Sequence, residues 1–174
     1  GFEESYGYLS GTYVRDKDAV VASMLICEMA AYYRKQGKNL LQVLEELYAE
    51  YGVFRHSLLN AEFEGASGMA AMQRLMASLR EKRPASIAGL RVVRFSDYQA
   101  SEQTDLLTGE TVKLDLPKSN VLSFGLEKGA GVIVRPSGTE PKIKSYITAT
   151  GADVAAADAM AAALRAAAEQ LLKA

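Results

Sequence analysis

The chain has 174 residues, of which 49% are hydrophobic and 24% are charged, a composition typical of folded globular domains. Its 20 basic and 21 acidic residues leave a net charge of −1, which argues against a general affinity for nucleic acid or for an anionic membrane surface. The single cysteine excludes an internal disulfide and favours a cytoplasmic protein, and no apolar stretch is long enough to span a bilayer.

Residues 1–52 are predicted to form a loop followed by two helices. Three glycines among the first eleven residues are typical of a loop. Each of two later apolar stretches is preceded by a side chain that can accept a hydrogen bond from a first helical turn, and is followed by a glycine. We therefore expect two helices, the first capped by Asp16 or Asp18, the second capped by Asn39 and covering residues 40–51.

The first of these helices is apolar on nearly all sides. Such a helix needs cover from several neighbours, so its methionine and aromatic side chains are predicted to belong to a core. Cys27 is predicted to be a small buried residue without a chemical role. Because the chain opens on a dense motif without a starting methionine, we expect it to be part of a longer protein. On its own, the helix would then expose apolar surface and favour self-association.

Residues 53–174 are predicted to contain both strands and helices. Alternating and β-branched residues predict the strands, and caps and alanine-rich runs predict the helices. Residues 112–116 alternate clearly, so one face of this hairpin arm is predicted to be buried. The expected order is strand 54–63, helix 67–83, strands 90–95, 106–107, 112–116, 121–124, 131–134 and 143–150, and helix 153–173. The pattern predicts an α+β fold with helices packed on one face of an antiparallel sheet.

The stretch Arg135-Pro136-Ser137-Gly138-Thr139-Glu140-Pro141-Lys142 lies between two predicted strands. Its prolines stiffen the loop, and its glycine lets the backbone bend. The arginine, the two hydroxyls, the lysine and the backbone N–H groups together form a positively charged set of donors. Such a set suits a phosphate, because arginine offers a planar fork and the other donors reach the remaining oxygens. A surface turn with solvated charges is the alternative from donor chemistry alone.

The same eight residues resemble the phosphate-binding loop in the last domain of the α-D-phosphohexomutases, which include phosphoglucomutase, phosphomannomutase and phosphoglucosamine mutase. Residues 1–8 and 14–20 resemble the sugar-binding loop and the following helix start of this family. The resemblance implies that residues 1–52 are the mainly helical end of an α/β domain. It also implies that residues 53–174 form a C-terminal phosphate-binding domain similar to the TATA-binding protein.

Members of this family move a phosphoryl group between the 1- and 6-positions of a hexose phosphate, through a phosphoserine and a bisphosphate intermediate. The resemblance implies that the loop and the following strand hold the phosphate that is not reacting, through Arg135, Ser137, Gly138, Thr139 and Lys144. It implies that Glu3 and Ser5 grip the sugar hydroxyls. Lys17 matches a lysine near the reacting centre, as an acid/base or a charge partner.

Two sequence motifs of the family are absent from these 174 residues, the phosphoserine loop Thr-x-Ser-His-Asn-Pro and the metal loop Asp-Gly-Asp-Gly-Asp. Without a nucleophile and Mg²⁺, phosphoryl transfer lacks its main stabilisation, so we expect the chain alone to be inactive. In the full-length parent, Mg²⁺ would be the cofactor and glucose 1,6-bisphosphate the activator or intermediate. The partners would be a hexose phosphate and the N-terminal domains of the same protein.

Two functions of different classes follow from these observations. The first is the C-terminal, substrate-binding part of a hexose-phosphate mutase. The sequence of residues 2–7 resembles that of a phosphoglucomutase or a dual-specificity enzyme more than that of a phosphoglucosamine mutase. It does not distinguish a glucose substrate from a mannose substrate. The alternative is a free-standing, non-catalytic module that binds a phospho-ligand or a protein. Upstream sequence that carries the phosphoserine and metal loops would favour the first.

Overall fold

The computed structural model describes residues 1–3, 6–65 and 67–173. The chain forms two compact units, Gly1–Gly52 and Val53–Ala174, and each is described here by itself. No helix in the described parts of the chain is both long and apolar enough to cross a membrane.

The first unit contains helix α1 (Ala19–Lys35) and helix α2 (Leu40–Tyr51). The carboxylate of Asp18 accepts hydrogen bonds from the amides of Val20 and Val21, so it caps α1 as one of the two predicted candidates. Asn39 caps α2 through a reciprocal pair of hydrogen bonds with Gln42, each 2.8–2.9 Å long. These caps satisfy amides that have no partner within the helix, and both helix starts are confirmed.

The predicted burial of α1 is wrong for this structure. No side chain of α1 is buried, and Cys27 is exposed rather than packed in a core. The side chains of Val20 and Met24 are 79% and 59% exposed. The physical reason is that two helices alone form a single layer, and an apolar helix needs a second layer to cover it. The apolar surface expected on this helix is therefore present.

The second unit is an antiparallel sheet with two long helices. Its helices are α3 (Gly68–Glu81) and α4 (Val154–Leu171). Its strands are β1 (Val53–Glu62), β2 (Ser86–Ile87), β3 (Leu90–Asp97), β4 (Glu102–Asp105), β5 (Thr111–Lys113), β6 (Leu122–Leu126), β7 (Gly131–Pro136) and β8 (Lys142–Gly151). The strand order is β1-β8-β7-β6-β3-β4-β5, with β2 paired to β3, and every pair is antiparallel. The predicted α+β class is confirmed.

One face of this sheet forms the core. Along β8, alternate residues are fully or almost fully buried, from Ile143 to Ala149, while those between them are partly exposed. Leu164 of α4 and Met76 of α3 join the same hydrophobic cluster. The two helices therefore cover one face of the sheet, as predicted, and the other face carries the partly exposed residues. This alternation decides which side chains near the loop after β7 can meet a ligand.

The hairpin at the far edge of the sheet differs from the prediction. Strand β5 is only three residues long, and all three are exposed, so the predicted buried face does not exist. Leu106 and Leu107 lie in the turn that joins β4 to β5, not in a strand. At an edge strand no further layer covers the alternating apolar side chains, and Val112 remains 44% exposed. Alternation indicated a strand here but not its burial.

Candidate functional site

The loop between β7 and β8 forms an open pocket of about 380 Å³. Strand β7 continues through Arg135 and Pro136, so the irregular part of the loop is shorter than predicted. Arg135 lies opposite Lys144 in the register of β7 and β8, and cross-strand partners on one face are direct neighbours. The lining residues are Arg135, Pro136, Ser137, Gly138, Thr139, Glu140, Lys142 and Lys144. The structure thus brings together all five residues that the loop resemblance singles out.

Ser137 organises the turn. Its amide donates to the carbonyl of Lys142 over 2.8 Å, which closes the hairpin. Its hydroxyl oxygen accepts from the amides of Thr139 and Glu140 over 3.3 and 3.2 Å. The sequence alone suggested that these two amides are free to bind a phosphate. In the structure they are hydrogen-bonded within the loop. The Ser137 hydroxyl keeps its own proton, which can be donated to a ligand.

The pocket carries an excess of positive charge. Arg135, Lys142 and Lys144 line it with one carboxylate, Glu140. The Glu140 carboxylate lies 2.9 Å from the Lys142 ammonium. This contact raises the pKa of Lys142 and lowers the pKa of Glu140. Within the described chain, neither Arg135 nor Lys144 forms an ion pair, so both cations keep their charge available for an anion.

The end of the loop is anchored by contacts that the sequence did not indicate. The amide of Phe63, just after β1, donates to the carbonyl of Pro141 over 2.8 Å. Gly68, the first residue of α3, lies against both: a Cβ at this position would come within 2.2 Å of the Phe63 carbonyl oxygen and 3.0 Å of the Pro141 Cβ. A glycine is therefore required for the close approach of α3 to the loop.

A second group of candidate residues lies in the first unit. The Lys17 ammonium is 3.5 Å from a carboxylate oxygen of Glu3 and 3.2 Å from one of Asp16. The amide of Glu3 donates to the carbonyl of Gly7 over 2.8 Å. A Cβ on Gly7 would lie 2.6 Å from the Lys17 side chain, so this glycine makes room for the lysine. Ser5 lies outside the described residues.

The surroundings of Lys17 favour its charged form. Asp16 first, and then Glu3, raise the pKa of Lys17 through hydrogen bonds and charge. The pKa of Asp16 is lowered, chiefly by the hydrogen bond that it accepts from the Lys17 amide. An ammonium of raised pKa is a poor general base at neutral pH, whereas it can stabilise negative charge. The raised pKa therefore argues against Lys17 as a general base and is compatible with a general acid or a charge partner.

The described residues do not contain a metal site. No group of three or more histidine, cysteine, aspartate or glutamate side chains within them could hold a metal ion. Metal ions in proteins are usually held by several such ligands. The Mg²⁺ that the family resemblance implies does not fit any cluster of these residues, and we assign no chemical step to it here.

Two family models match the chain. The model "Phosphoglucomutase/phosphomannomutase, alpha/beta/alpha domain III" matches residues 1–51, and the model "Phosphoglucomutase/phosphomannomutase, C-terminal domain" matches residues 58–167. Curated relatives include a phosphoglucomutase of Staphylococcus epidermidis, 38% identical over 148 residues, which are 85% of this chain and 27% of the relative. A phosphoglucomutase of Staphylococcus aureus is 41% identical over 147 residues, 84% of this chain and 26% of the relative. The chain spans about a quarter of the length of these relatives.

A solved structure has the same fold. It is the exocytosis-sensitive phosphoprotein pp63/parafusin, a phosphoglucomutase from Paramecium in its open form, which matches with a TM-score of 0.66 at 16% sequence identity. The match covers 98% of this chain and 29% of that one, and at this identity it supports the fold alone. The family models and the curated relatives also support an assignment to a protein family. The chain belongs to the phosphoglucomutase/phosphomannomutase family, as a part that matches its domain III and its C-terminal domain.

Proposed function

We propose that the chain is the C-terminal, substrate-binding part of a hexose-phosphate mutase. The parent enzyme would transfer a phosphoryl group between C1 and C6 of a hexose, through a phosphoserine and a bisphosphate intermediate. The curated relatives are named phosphoglucomutases, which favours glucose phosphate over mannose phosphate as the substrate. In this scheme the second unit grips the phosphate that is not reacting.

The observation that carries this proposal is the pocket after β7. Two cations without ion pairs in the described chain, Arg135 and Lys144, face the same pocket as the hydroxyls of Ser137 and Thr139. Arginine can bind two phosphate oxygens through parallel N–H donors, and lysine adds a point charge. The amide of Gly138 lies in the same turn, and no side chain occupies the space beside its Cα. This combination is suited to a phosphate monoester.

The first unit supplies the proposed sugar contacts. Glu3 and Ser5 would accept hydrogen bonds from sugar hydroxyls, and a carboxylate can accept from two vicinal hydroxyls at once. Lys17 would act as a charge partner near the transferred phosphoryl group, since its neighbours raise its pKa. Binding energy from the remote phosphate and from the sugar would then orient the reacting end.

The nucleophile and the metal belong, in this proposal, to parts of the parent enzyme beyond these 174 residues. Mg²⁺ would be the cofactor of the parent enzyme, and glucose 1,6-bisphosphate would be its intermediate or activator. We therefore expect no mutase activity from the purified 174-residue chain with Mg²⁺ and glucose 1,6-bisphosphate. Turnover of glucose 1-phosphate above a mock preparation would contradict this part of the proposal.

Substitution of Arg135 tests the phosphate site. Arg135→Lys keeps the charge but loses the planar fork, and Arg135→Ala loses both. A charge-assisted hydrogen bond contributes about 1.5–3 kcal/mol, so we expect glucose 1-phosphate and glucose 6-phosphate to bind about ten- to a hundredfold more weakly. The affinity for both esters should fall together, because each binds the pocket through its phosphate group. Amide chemical shifts of the loop, followed during a titration, measure the dissociation constants.

The matched control is Arg94→Lys, an exposed arginine on β3 that does not line the pocket. It should leave binding unchanged. Melting curves separate binding from folding, since Arg135 is exposed and its loss should not unfold the unit. Unchanged ester binding by Arg135→Ala would remove the assignment of the phosphate site. Lost binding together with a collapsed melting temperature would make Arg135 a structural residue instead.

A further inference from the structure

A carboxylate lies inside the positively charged pocket. Glu140 lines the pocket together with Arg135 and Lys144, and its carboxylate pairs with Lys142 over 2.9 Å. Its backbone is held in place, because its amide donates to the Ser137 hydroxyl and its carbonyl accepts from the Lys142 amide over 2.8 Å. The turn therefore fixes the backbone of Glu140 beside the pocket, while its side chain remains free to change rotamer.

This carboxylate opposes the binding of an anion in two ways. It repels an incoming phosphate, and it occupies one of the three cations that line the pocket. The field of Lys144 also acts on Glu140 and helps to lower the pKa of its carboxyl group, after the larger effect of Lys142. Glu140 thus interacts with two of the cations that would otherwise attract only the ligand. A site built for the tightest possible grip would not include it.

We propose that Glu140 is a displaceable counter-ion of this pocket, which holds Lys142 while the pocket is empty and releases it when a phosphate binds. The inference rests on the proposed phosphate site and deepens it. A phosphate oxygen replaces the Glu140 carboxylate at the Lys142 ammonium, and the carboxylate turns into solvent. The glutamate side chain is 62% exposed and the lysine side chain only 30%, so the glutamate is the partner with more room to move away.

The consequence is weaker binding with faster release. In the proposed reaction, one phosphoserine gives its phosphoryl group to one end of the hexose and regains it from the other, so the two phosphates of the bisphosphate must exchange places and the pocket must release one of them. A counter-ion that competes with the ligand lowers its affinity and raises its dissociation rate. The two remaining cations, Arg135 and Lys144, keep the site selective for anions. Glu140 is therefore a residue that sets residence time, and it does not touch the reacting atoms.

Glu62 provides a matched comparison. It lies directly opposite Lys142 in the register of β1 and β8, and its charge makes a smaller contribution to the raised pKa of that lysine than the charge of Glu140 does. It does not form an ion pair with Lys142 in the described structure, nor does it line the pocket with Arg135. Glu62→Gln and Glu140→Gln therefore remove the same charge from the same neighbourhood, but only the second breaks the ion pair.

The experiment titrates the 174-residue chain with inorganic phosphate at constant ionic strength, in chloride, and follows the amide signals of Gly138 and Thr139. We expect Glu140→Gln to bind phosphate about 1.4- to 5-fold more tightly than the wild type, the range measured for exposed ion pairs. Line shapes should show a slower dissociation. Glu140→Ala should behave in the same way, which guards against an effect of the introduced amide. Glu62→Gln should change the affinity by less.

The outcomes separate this inference from the proposed function. If the wild type shows no phosphate-dependent shifts in the loop, the phosphate site itself is wrong, and the inference is overturned with it. If the wild type binds phosphate but both Glu140 variants bind equally or more weakly, the counter-ion is overturned while the phosphate site stands. If Glu62→Gln improves binding as much as Glu140→Gln, only the general charge of the region matters, and displacement of an ion pair is overturned.

Discussion

Helix α1 of the first unit and helix α4 of the second begin in the same way but differ in burial. An aspartate caps each of them: Asp18 accepts from two amides in the first turn of α1, and Asp153 accepts from the Ala156 amide of α4. Their lengths are 17 and 18 residues. Helix α4 nevertheless buries side chains such as Leu164, whereas α1 buries none.

The difference shows that a helix cap and an apolar composition specify a helix without specifying what covers it. Helix α4 contacts β1 and β8, so its inward stripe is removed from water. Helix α1 contacts α2, and none of its side chains is buried within the described part of its unit. Local hydrogen bonds determine where a helix begins and ends. The free energy of burial comes from a second layer of secondary structure that packs against the helix.

The largest expected effect is on stability, when a leucine is replaced by alanine in α4 rather than in α1. Leu164 of α4 is fully buried, and Leu25 of α1 is 40% exposed. Leu164→Ala should lower the free energy of unfolding of the second unit by about 2–5 kcal/mol. Leu25→Ala should change the free energy of unfolding of the first unit by no more than about 0.5 kcal/mol. Denaturant unfolding followed by amide signals from each unit measures both, and equal losses would contradict the comparison.

Two glycines of the second unit test where close packing matters. Gly68→Ala places a Cβ against the Phe63 carbonyl and Pro141, and overpacking of this kind costs about 1–3 kcal/mol. It should also disturb the pocket, because Pro141 ends the loop. Gly138→Ala adds a Cβ where nothing lies within 4 Å. It should fold like the wild type but bind phosphate more weakly, because the proposed ligand approaches the backbone of the loop closely. Melting curves and phosphate titrations of both variants distinguish these effects.

The smallest expected effect concerns the exposed helix of the first unit. Exposed apolar patches favour association, so we expect the 174-residue chain to self-associate weakly at high concentration through α1. Met24→Glu should reduce this association, because Met24 is 59% exposed on the helix and glutamate preserves helix propensity. Ser23→Glu adds the same charge one residue away and is the control. Sedimentation velocity measures the effect, and a wild-type monomer at all concentrations would contradict it.

Much of the local structure was predictable from the sequence. The helix caps at Asp18 and Asn39 and the strands that correspond to β6 and β7 were expected from residues close together in the chain. The eight-residue loop was also expected to follow a strand, as it does. These features depend on backbone dihedral preferences and on hydrogen bonds between near neighbours. Such terms can be estimated without knowledge of the fold.

Other predictions failed for an identifiable reason. Cys27 was expected to be buried and is exposed, and the second arm of the β4–β5 hairpin was expected to bury one face and buries none. Both segments have an apolar pattern, but neither has a covering layer in its unit. The sequence pattern shows which residues are apolar. Whether they are buried depends on another element that packs against them, and the pattern does not identify that element.

The sequence by itself determined the cap of α2 and the charged and hydroxyl side chains of the loop, and it narrowed the cap of α1 to two aspartates. Each depends on residues within a few positions of one another, whose hydrogen bonds form locally. Only the tertiary structure decided that Arg135 lies opposite Lys144, that Phe63 and Gly68 anchor Pro141, and that Lys142 lies opposite Glu62. These contacts join distant positions through strand register and packing, and their charges and distances arise only once the sheet has formed.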